Sequence, residues 1–238
     1  MKETIYTIPI NEAFEAKCGC PLCTLRRKLE RDSVEYIMGA AMMEPDVRIE
    51  TNRRGFCSKH YAQMLGMKGR LSLALTLESR LGEIRNYIEK DALRGFGKKL
   101  DPSRAAELIR GTANGCFVCE RIAGYEEHYY KNVLHMWKNV PEFREMFHQQ
   151  PYFCLEHTAG LLARAPEALG KKNHEDFDRE LIELVDGYLK TLNADVSAFC
   201  QSFDYRSAGK PLGEEQKIAP ERAIEFLSGY REETPEQK

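Results

Sequence analysis

The sequence predicts an all-α chain, with two tandem helical zinc-binding repeats followed by a long helix and a short C-terminal helix. Three observations predict it. The first is an alternation of two-residue clips: Gly19-Cys20-Pro21-Leu22-Cys23, then Phe56-Cys57-Ser58-Lys59-His60, then Gly115-Cys116-Phe117-Val118-Cys119, then Phe153-Cys154-Leu155-Glu156-His157. The second is helical periodicity between the clips, with apolar residues recurring at three and four positions. The third is an internal duplication. An offset of 96 carries Cys20 to Cys116, Cys23 to Cys119 and Pro45-Asp46-Val47-Arg48 to Pro141-Glu142-Phe143-Arg144, and an offset of 97 carries Phe56-Cys57 to Phe153-Cys154. Beyond the histidines, Ala62, Met64 and Leu65 correspond to Ala159, Leu161 and Leu162. A unit of roughly 95 residues is too long for a solenoid repeat and suits two small subdomains.

Taken in order, residues 4–10 read as a short extended lead-in, since Pro9 disfavours a central strand. Asn11 to Lys17 reads as a helical turn into the first clip. A helix then runs from Cys23 to about Met43 on an apolar face of Leu25, Leu29, Tyr36, Ile37 and Ala40. Pro45 starts a short helix with Asp46 in its first turn, where the helix dipole favours a carboxylate. Cys57 and His60 open the next helix. Leu77, Leu81, Ile84 and Ile88 form a stripe along another. Gly95, Gly97 and Pro102 break the chain and place a lobe boundary near 94–102.

In the second half, Ser103 to Arg110 is a short helix, and 120–138 repeats the first long helix with Tyr125, Tyr129, Tyr130 and Trp137 on it. Pro141 opens a short helix, and Cys154 and His157 open one that stops near Pro166. The longest helix, 174–204, carries Phe177, Leu181, Leu184, Tyr188, Leu192, Val196, Phe199 and Phe203, a stripe that packs on the parent fold or forms a homodimer seam. Gly209 to Gly213 is a loop, Ala219 to Gly229 a small helix, and Arg231 to Lys238 a charged, frayed end. The resulting lobes are 1–98, 99–206 and a C-terminal 207–238.

The clips point to metal because Zn²⁺ takes four ligands in a tetrahedron and accepts thiolate and imidazole. A C-x2-C turn brings two sulfurs to one point, and Gly19 and Gly115 precede the first sulfur of each, where a tight turn needs conformational freedom. In C-x2-H the same convergence comes from a helix start, where residues three apart share a face. The expected ligands are Cys20, Cys23, Cys57, His60, Cys116, Cys119, Cys154 and His157, which make two Cys3His sites and take two zinc ions per chain. Iron held as an iron–sulfur cluster is the alternative. The clips can close within a half or interleave between halves. The gaps of 33 residues between Cys23 and Cys57 and 34 between Cys119 and Cys154 favour self-contained halves, with Cys20, Cys23, Cys57 and His60 on one ion and Cys116, Cys119, Cys154 and His157 on the other.

A chain of 238 residues can bury a real core. The net charge of −2, with both signs abundant, argues against a dominant nucleic-acid or membrane surface. Met1 to Phe14 lacks an apolar signal region, and no run approaches the roughly 18 apolar residues of a membrane span. The expected compartment is the cytoplasm, where cysteines at such spacings serve as ligands rather than disulfides.

Outside the clips, Cys18 has no counterpart in the second half. It reads as a spare thiol or as a redox switch beside the first site. Cys200 reads as a buried small hydrophobe. His128, His135, His148 and His174 lack ligand spacing and read as surface or packing residues. Glu156 is a candidate for bracing a ligand. Arg26-Arg27-Lys28, Arg31 and Arg53-Arg54 form a basic run that can meet phosphate, but the second half has no equal.

Together the C-P-L-C opening, the F-C-x-x-H clips in both halves and Phe203-Asp204-Tyr205-Arg206 make the chain resemble an uncharacterised bacterial family, known only as a domain of unknown function, over roughly residues 15–230. The resemblance implies a small cytoplasmic protein and assigns no activity.

Four protein ligands close the coordination sphere, which is the structural rather than the catalytic pattern. The leading reading is therefore a non-enzymatic zinc protein that presents a surface to a protein partner. The alternative is a redox- or metal-responsive sensor using Cys18, in which the first site loses metal first on oxidation. Nucleic-acid binding ranks lower. No H-E-x-x-H, G-x-S-x-G or phosphate loop supports an enzyme.

Overall fold

The computed structural model describes residues 7–93, 102–204 and 211–229. Among these, every regular element is helical and there is no strand. In chain order they are α1 (Thr7–Glu15), α2 (Pro21–Met38), a 3-10 turn (Ala40–Met43), α3 (Pro45–Arg54), α4 (Ser58–Gly66), α5 (Arg70–Tyr87), a π turn (Ile88–Leu93), α6 (Pro102–Ala113), α7 (Phe117–Asn139), α8 (Pro141–His148), α9 (Leu155–Leu169), α10 (Lys171–Gln201), α11 (Glu214–Lys217) and α12 (Ala219–Ser228). The all-α class is as expected, and the duplication is visible as matching helix series, α2 to α5 and α7 to α10.

Local sequence explains the starts. Pro45 and Pro141 sit in the first turns of α3 and α8, where a missing N–H costs nothing, with Asp46 and Glu142 beside them. Cys57 and Cys154 are the extended residues that cap α4 and α9. Several boundaries differ from expectation. Thr7 to Ile10 is helical rather than extended, because Pro9 falls within the first turn of α1. The helix expected to reach Met43 ends at Met38 and passes into the 3-10 turn. Pro166 lies inside α9, whose last turn is held by the burial of Ala165 and Leu169. The short α11 was not anticipated. Residues 4–6, Gly95 and Gly97 of the expected boundary, Tyr205 and Arg206, Gly209 and the charged end lie outside the described residues.

The chain divides into two compact units that do not follow its linear order. One comprises Met1–Arg26 and Glu126–Lys238, the other Arg27–Tyr125. The expected lobes 1–98, 99–206 and 207–238 do not coincide with them. The divisions fall inside α2 and α7.

In the discontinuous unit, α1 packs on α8, and α10 packs on α9, α11 and α12. Its core is aromatic. Phe14 lies 4.7 Å from Phe143, Phe147 lies 4.7 Å from Phe153, and Trp137 meets Phe177 edge-on at 5.1 Å, centroid to centroid. Such ring pairs add stabilisation beyond the area they bury. Phe177, Leu181, Val185 and Leu192 are the buried face of α10, while Phe203 is 77% exposed. Cys200, expected to be buried, is exposed near the end of this helix.

In the continuous unit, Val34, Ile37, Met38, Phe56, Met64, Leu73, Val118 and Ile122 form the core. The expected stripe on α5 is only in part its packed face: Leu77 packs on the core and Ile84 and Ile88 are half-buried, but Leu81 is 63% exposed, and the buried residues are Leu73, Thr76 and Arg80. Arg80 is buried there among polar partners inside the unit.

Candidate metal centres

Two clusters of four potential ligands form, each with all ligand atoms within 4.8 Å of one another. In the discontinuous unit, Cys20 and Cys23 at the start of α2 meet Cys154 and His157 at the start of α9. His157 Nδ1 lies 3.5 Å from Cys20 Sγ, 3.3 Å from Cys23 Sγ and 3.1 Å from Cys154 Sγ, and Cys23 Sγ lies 3.5 Å from Cys154 Sγ. All four residues are buried. In the continuous unit, Cys57 and His60 at the start of α4 meet Cys116 and Cys119 at the start of α7. His60 Nδ1 lies 3.1 Å from Cys57 Sγ, 3.2 Å from Cys116 Sγ and 3.5 Å from Cys119 Sγ, and Cys57 Sγ lies 3.9 Å from Cys119 Sγ. Here Cys57 is half-buried and Cys119 exposed.

The eight sequence-derived residues all enter the clusters, but the expected pairing is corrected. The C-x2-C clip of each half joins the C-x2-H clip of the other. Packing explains the exchange. Phe14 of α1 inserts between Phe143, Phe147 and Phe153, and Gln150 donates to the Phe14 carbonyl at 2.8 Å, which sets Cys20 beside Cys154. In the other unit, Phe117 N–H donates to the Gly55 carbonyl at 2.9 Å, joining the two clips directly.

Arg80 of α5 completes that junction. Its buried guanidinium donates to the carbonyls of Asn52 and Arg53 at the end of α3 and of Thr112 near the end of α6. Helix ends leave carbonyls unpaired and carry partial negative charge, so a buried cation suits them. Cys57 follows one of these ends and Cys116 the other.

The glycines before the C-x2-C clips serve different needs. Gly19 has φ +120°, a conformation that disfavours side chains. Gly115 is needed for close approach: a Cβ there would strike the carbonyl of Arg54.

Each imidazole has a carboxylate behind it. His60 Nε2 donates to Glu30 Oε1 at 2.8 Å, and Lys59 Nζ reaches the same oxygen at 2.6 Å. His157 Nε2 stands 3.6 Å from Glu126 Oε1, a looser ion-pair distance that leaves this oxygen without a close hydrogen bond. Arg26 Nε approaches that oxygen at 3.4 Å and Arg26 Nη1 binds Glu156 at 3.0 Å. The sequence reading named Glu156, but Glu156 pairs with Arg26, and Glu126 faces the ring. Glu30 and Glu126 were missed although the 96-residue offset relates them.

Burial lowers the proton affinity of His60, yet Glu30 and the Cys116 and Cys57 sulfurs outweigh it and push the pKa up to about 9. For His157 burial is likewise outweighed, by Cys154, Cys20 and Glu126, and the pKa rises to about 12. Burial raises Glu30, but His60 and Lys59 bring it down to about 2. Each cluster thus stabilises positive charge at its centre.

This donor set fits a tetrahedral ion. With Zn–S near ~2.3 Å and Zn–N near ~2.0 Å, tetrahedral ligand atoms stand roughly 3.5–3.8 Å apart, close to the separations above. Nδ1 would bind metal while Nε2–H is fixed by glutamate, the arrangement that orients metal-binding histidines.

The remaining candidates lie apart. Cys18 is exposed, 3.9 Å from the Thr24 hydroxyl, and belongs to neither cluster. His148 pairs with Glu180 at 3.1 Å and His174 with Asp178 at 3.0 Å, while His135 contacts Asn139 and His128 is exposed. The basic run is partly neutralised: Arg53 and Arg54 both reach Glu50 at 2.8 Å, and Arg54 also reaches Glu120 at 2.6 Å.

An all-helical chain with two Cys3His clusters defines a class of protein with two sites suited to metal. The chain belongs to the family described as "Family of unknown function (DUF6062)", which matches residues 1–234. It is also similar to a Caldicellulosiruptor sp. (strain Rt8B.4) protein described as "Uncharacterized 23.9 kDa protein in xynA 3'region", 19% identical over 212 residues that cover 88% of this chain and 95% of that one. No solved structure matches. Among the described residues, no helix is long and apolar enough to cross a membrane.

Proposed function

We propose that this chain is a non-enzymatic cytoplasmic zinc protein, whose two Cys3His sites are structural and whose helical surface serves a protein partner. The observation that carries the zinc reading is the presentation of each histidine, with Nδ1 turned to three sulfurs and Nε2 turned to a glutamate, Glu30 or Glu126. Three thiolates and one imidazole select Zn²⁺ over the hard cations. Four protein ligands leave no open position for substrate, which supports a structural role. Each ion would join chain segments far apart in sequence, so binding energy would be folding energy.

Elemental mass spectrometry of protein purified without chelator, together with its native mass, tests the reading. Two zinc ions per chain is the expected result, and a doubled native mass would assign the homodimer. Iron with visible absorbance would replace zinc by a cluster, and metal-free protein with internal disulfides would overturn the reading.

A further inference from the structure

The two clusters have the same ligands but different access to solvent. Cys20, Cys23, Cys154 and His157 are each no more than 2% exposed. The end of α12 lies over them: a Cβ on Gly229 would stand 3.3 Å from Cys23 Sγ and 3.9 Å from Cys154 Sγ. A Cβ on Gly19 would likewise meet Tyr152 Oη at 3.2 Å and Glu225 Oε1 at 3.3 Å, which marks how closely Tyr152 and α12 cover the entry to this clip. At the other cluster, Cys116 and His60 are buried, but Cys119 is exposed and Cys57 half-buried. The duplication explains the difference, because α12 comes only after the second repeat.

Exposure decides thiol chemistry, since an oxidant must reach the sulfur. A disulfide needs a second sulfur that is both within reach and accessible; Cys116 is buried, whereas half-buried Cys57 has its Sγ 3.9 Å from Cys119 Sγ. We infer that the cluster of Cys57, His60, Cys116 and Cys119 is an exchangeable, peroxide-responsive metal site, whereas the cluster of Cys20, Cys23, Cys154 and His157 holds its ion permanently. This rests on the zinc reading above.

The Cys119 thiolate attacks one oxygen of hydrogen peroxide, breaking the O–O bond and giving a Cys119 sulfenic acid and hydroxide. The Cys57 thiolate then attacks the sulfenic sulfur, forming the disulfide and releasing a second hydroxide. The two sulfurs lose two electrons, peroxide gains them, and two protons from solvent turn the hydroxides into water. Two of four ligands are gone, and the ion leaves. The sequence had suggested Cys18 and the first site for such a role; Cys18 is exposed, but Cys20, Cys23 and Cys154 beside it are buried, and the exposed sulfur within a cluster is Cys119.

The test uses the full-length zinc-loaded protein. Its metal content is measured first. It is then treated with hydrogen peroxide, zinc release is followed with a chromogenic chelator, and disulfides are mapped by peptide mass spectrometry. The expected result is a first zinc released at least about tenfold faster than the second, with Cys57 linked to Cys119 in the first phase. Simultaneous release, or a first disulfide that includes Cys18, Cys20, Cys23 or Cys154, would overturn the inference while leaving the zinc reading intact. Protein that neither contains nor takes up zinc overturns the zinc reading, and the inference falls with it. Cys119→Ser should abolish the fast phase. Should that variant not fold, the order of alkylation in the unmodified protein gives the same answer: Cys119 and Cys57 should be labelled before Cys20, Cys23 and Cys154, and the reverse order counts against it.

Discussion

Glu30 accepts a hydrogen bond from His60 Nε2 at 2.8 Å, from a position seven residues beyond Cys23 on α2. Ninety-six residues later, Glu126 stands in the same relation to Cys119 and faces His157 at 3.6 Å. The clip that opens each of α2 and α7 therefore supplies two thiols to one cluster, and the helix itself a carboxylate to the other. The clips exchange partners between repeats, while each carboxylate stays with the histidine of its own repeat.

That relationship gives the first prediction. A carboxylate behind a ligating imidazole fixes its tautomer and raises its basicity, and losing such a group costs about 10- to 100-fold in metal affinity. Glu30→Gln keeps the shape but removes the charge, so zinc affinity at the Cys57 cluster should fall by about that factor. Glu126→Gln should do less, because its contact is longer. Competition with a chelator of known affinity measures both. Equal effects, or none at Glu30, would remove the glutamates from the account.

A second prediction tests the exchanged pairing through metal counts. Cys23→Ser and Cys154→Ser strike one cluster, so the double variant should lose one zinc and keep the other. Cys23→Ser with Cys57→Ser strikes both clusters and should lose two. The self-contained arrangement predicts the opposite counts, since Cys23 and Cys57 would then share an ion. Circular dichroism of each variant shows whether the retained site still supports a folded unit.

The cluster residues were legible in the sequence because coordination demands short local spacings, and C-x2-C and C-x2-H are local. Their pairing was not, because a clip carries no mark of the clip it faces. The nearly equal gaps of 33 and 34 residues fit both closures. What decides between them is long-range: Phe14 inserted among Phe143, Phe147 and Phe153, and Arg80 at two helix ends. Helices were legible through prolines, caps and periodicity, but the buried face of α5 only in part, since Leu77 packs on the core while Leu81 faces solvent. A polar residue, Arg80, occupies it, and apolar periodicity is blind to a buried cation. Glu30 and Glu126 were within reach of the sequence, since the repeat offset that matched the cysteines also matches them.

Once chelation is prolonged enough to empty the buried cluster of Cys20, Cys23, Cys154 and His157, the N-terminal segment should loosen first within its unit. Cys20 and Cys23 tie α1 and the start of α2 to α9, 131 residues away from Cys23 at Cys154. Without the ion, α1 retains mainly its aromatic contact with α8 and the bonds of Phe14 and Lys17 to Gln150 and Gln149. Prolonged chelation should therefore let trypsin cut after Lys17, already at the surface, before the core of α9 and α10 is cut. Re-addition of zinc should restore protection. A cleavage pattern unchanged by chelation would mean that packing alone holds the segment.

Gly115 offers a backbone test of the same geometry. A methyl group there meets the Arg54 carbonyl, part of the junction that also includes the Phe117 to Gly55 bond. Gly115→Ala should destabilise the continuous unit by about 1–3 kcal/mol, the range for overpacking a tight contact, and weaken its metal site. Gly111→Ala, where a Cβ meets nothing within 4 Å, is the control and should be neutral or slightly stabilising in its helix. Thermal melts of the two variants compare them directly.

Arg80 makes the most demanding claim, because no feature of the sequence marked it. It is 5% exposed and binds carbonyls at the ends of both helices from which the second cluster's clips emerge. Arg80→Leu fills much of the space but takes the donor away from those carbonyls, a loss of about 0.5–1.5 kcal/mol for each. The continuous unit should lose stability, and its cluster should lose zinc affinity, although Arg80 touches no ligand. The cluster of Cys20, Cys23, Cys154 and His157 should keep its ion. Arg80→Lys should rescue only in part, since one ammonium group cannot reproduce the planar fork that reaches Asn52 and Thr112 from separate nitrogens. Zinc content and chelator competition for the two variants, read beside their melting curves, decide the matter. A leucine variant that keeps both ions at full affinity would show that the two helix ends meet without the arginine.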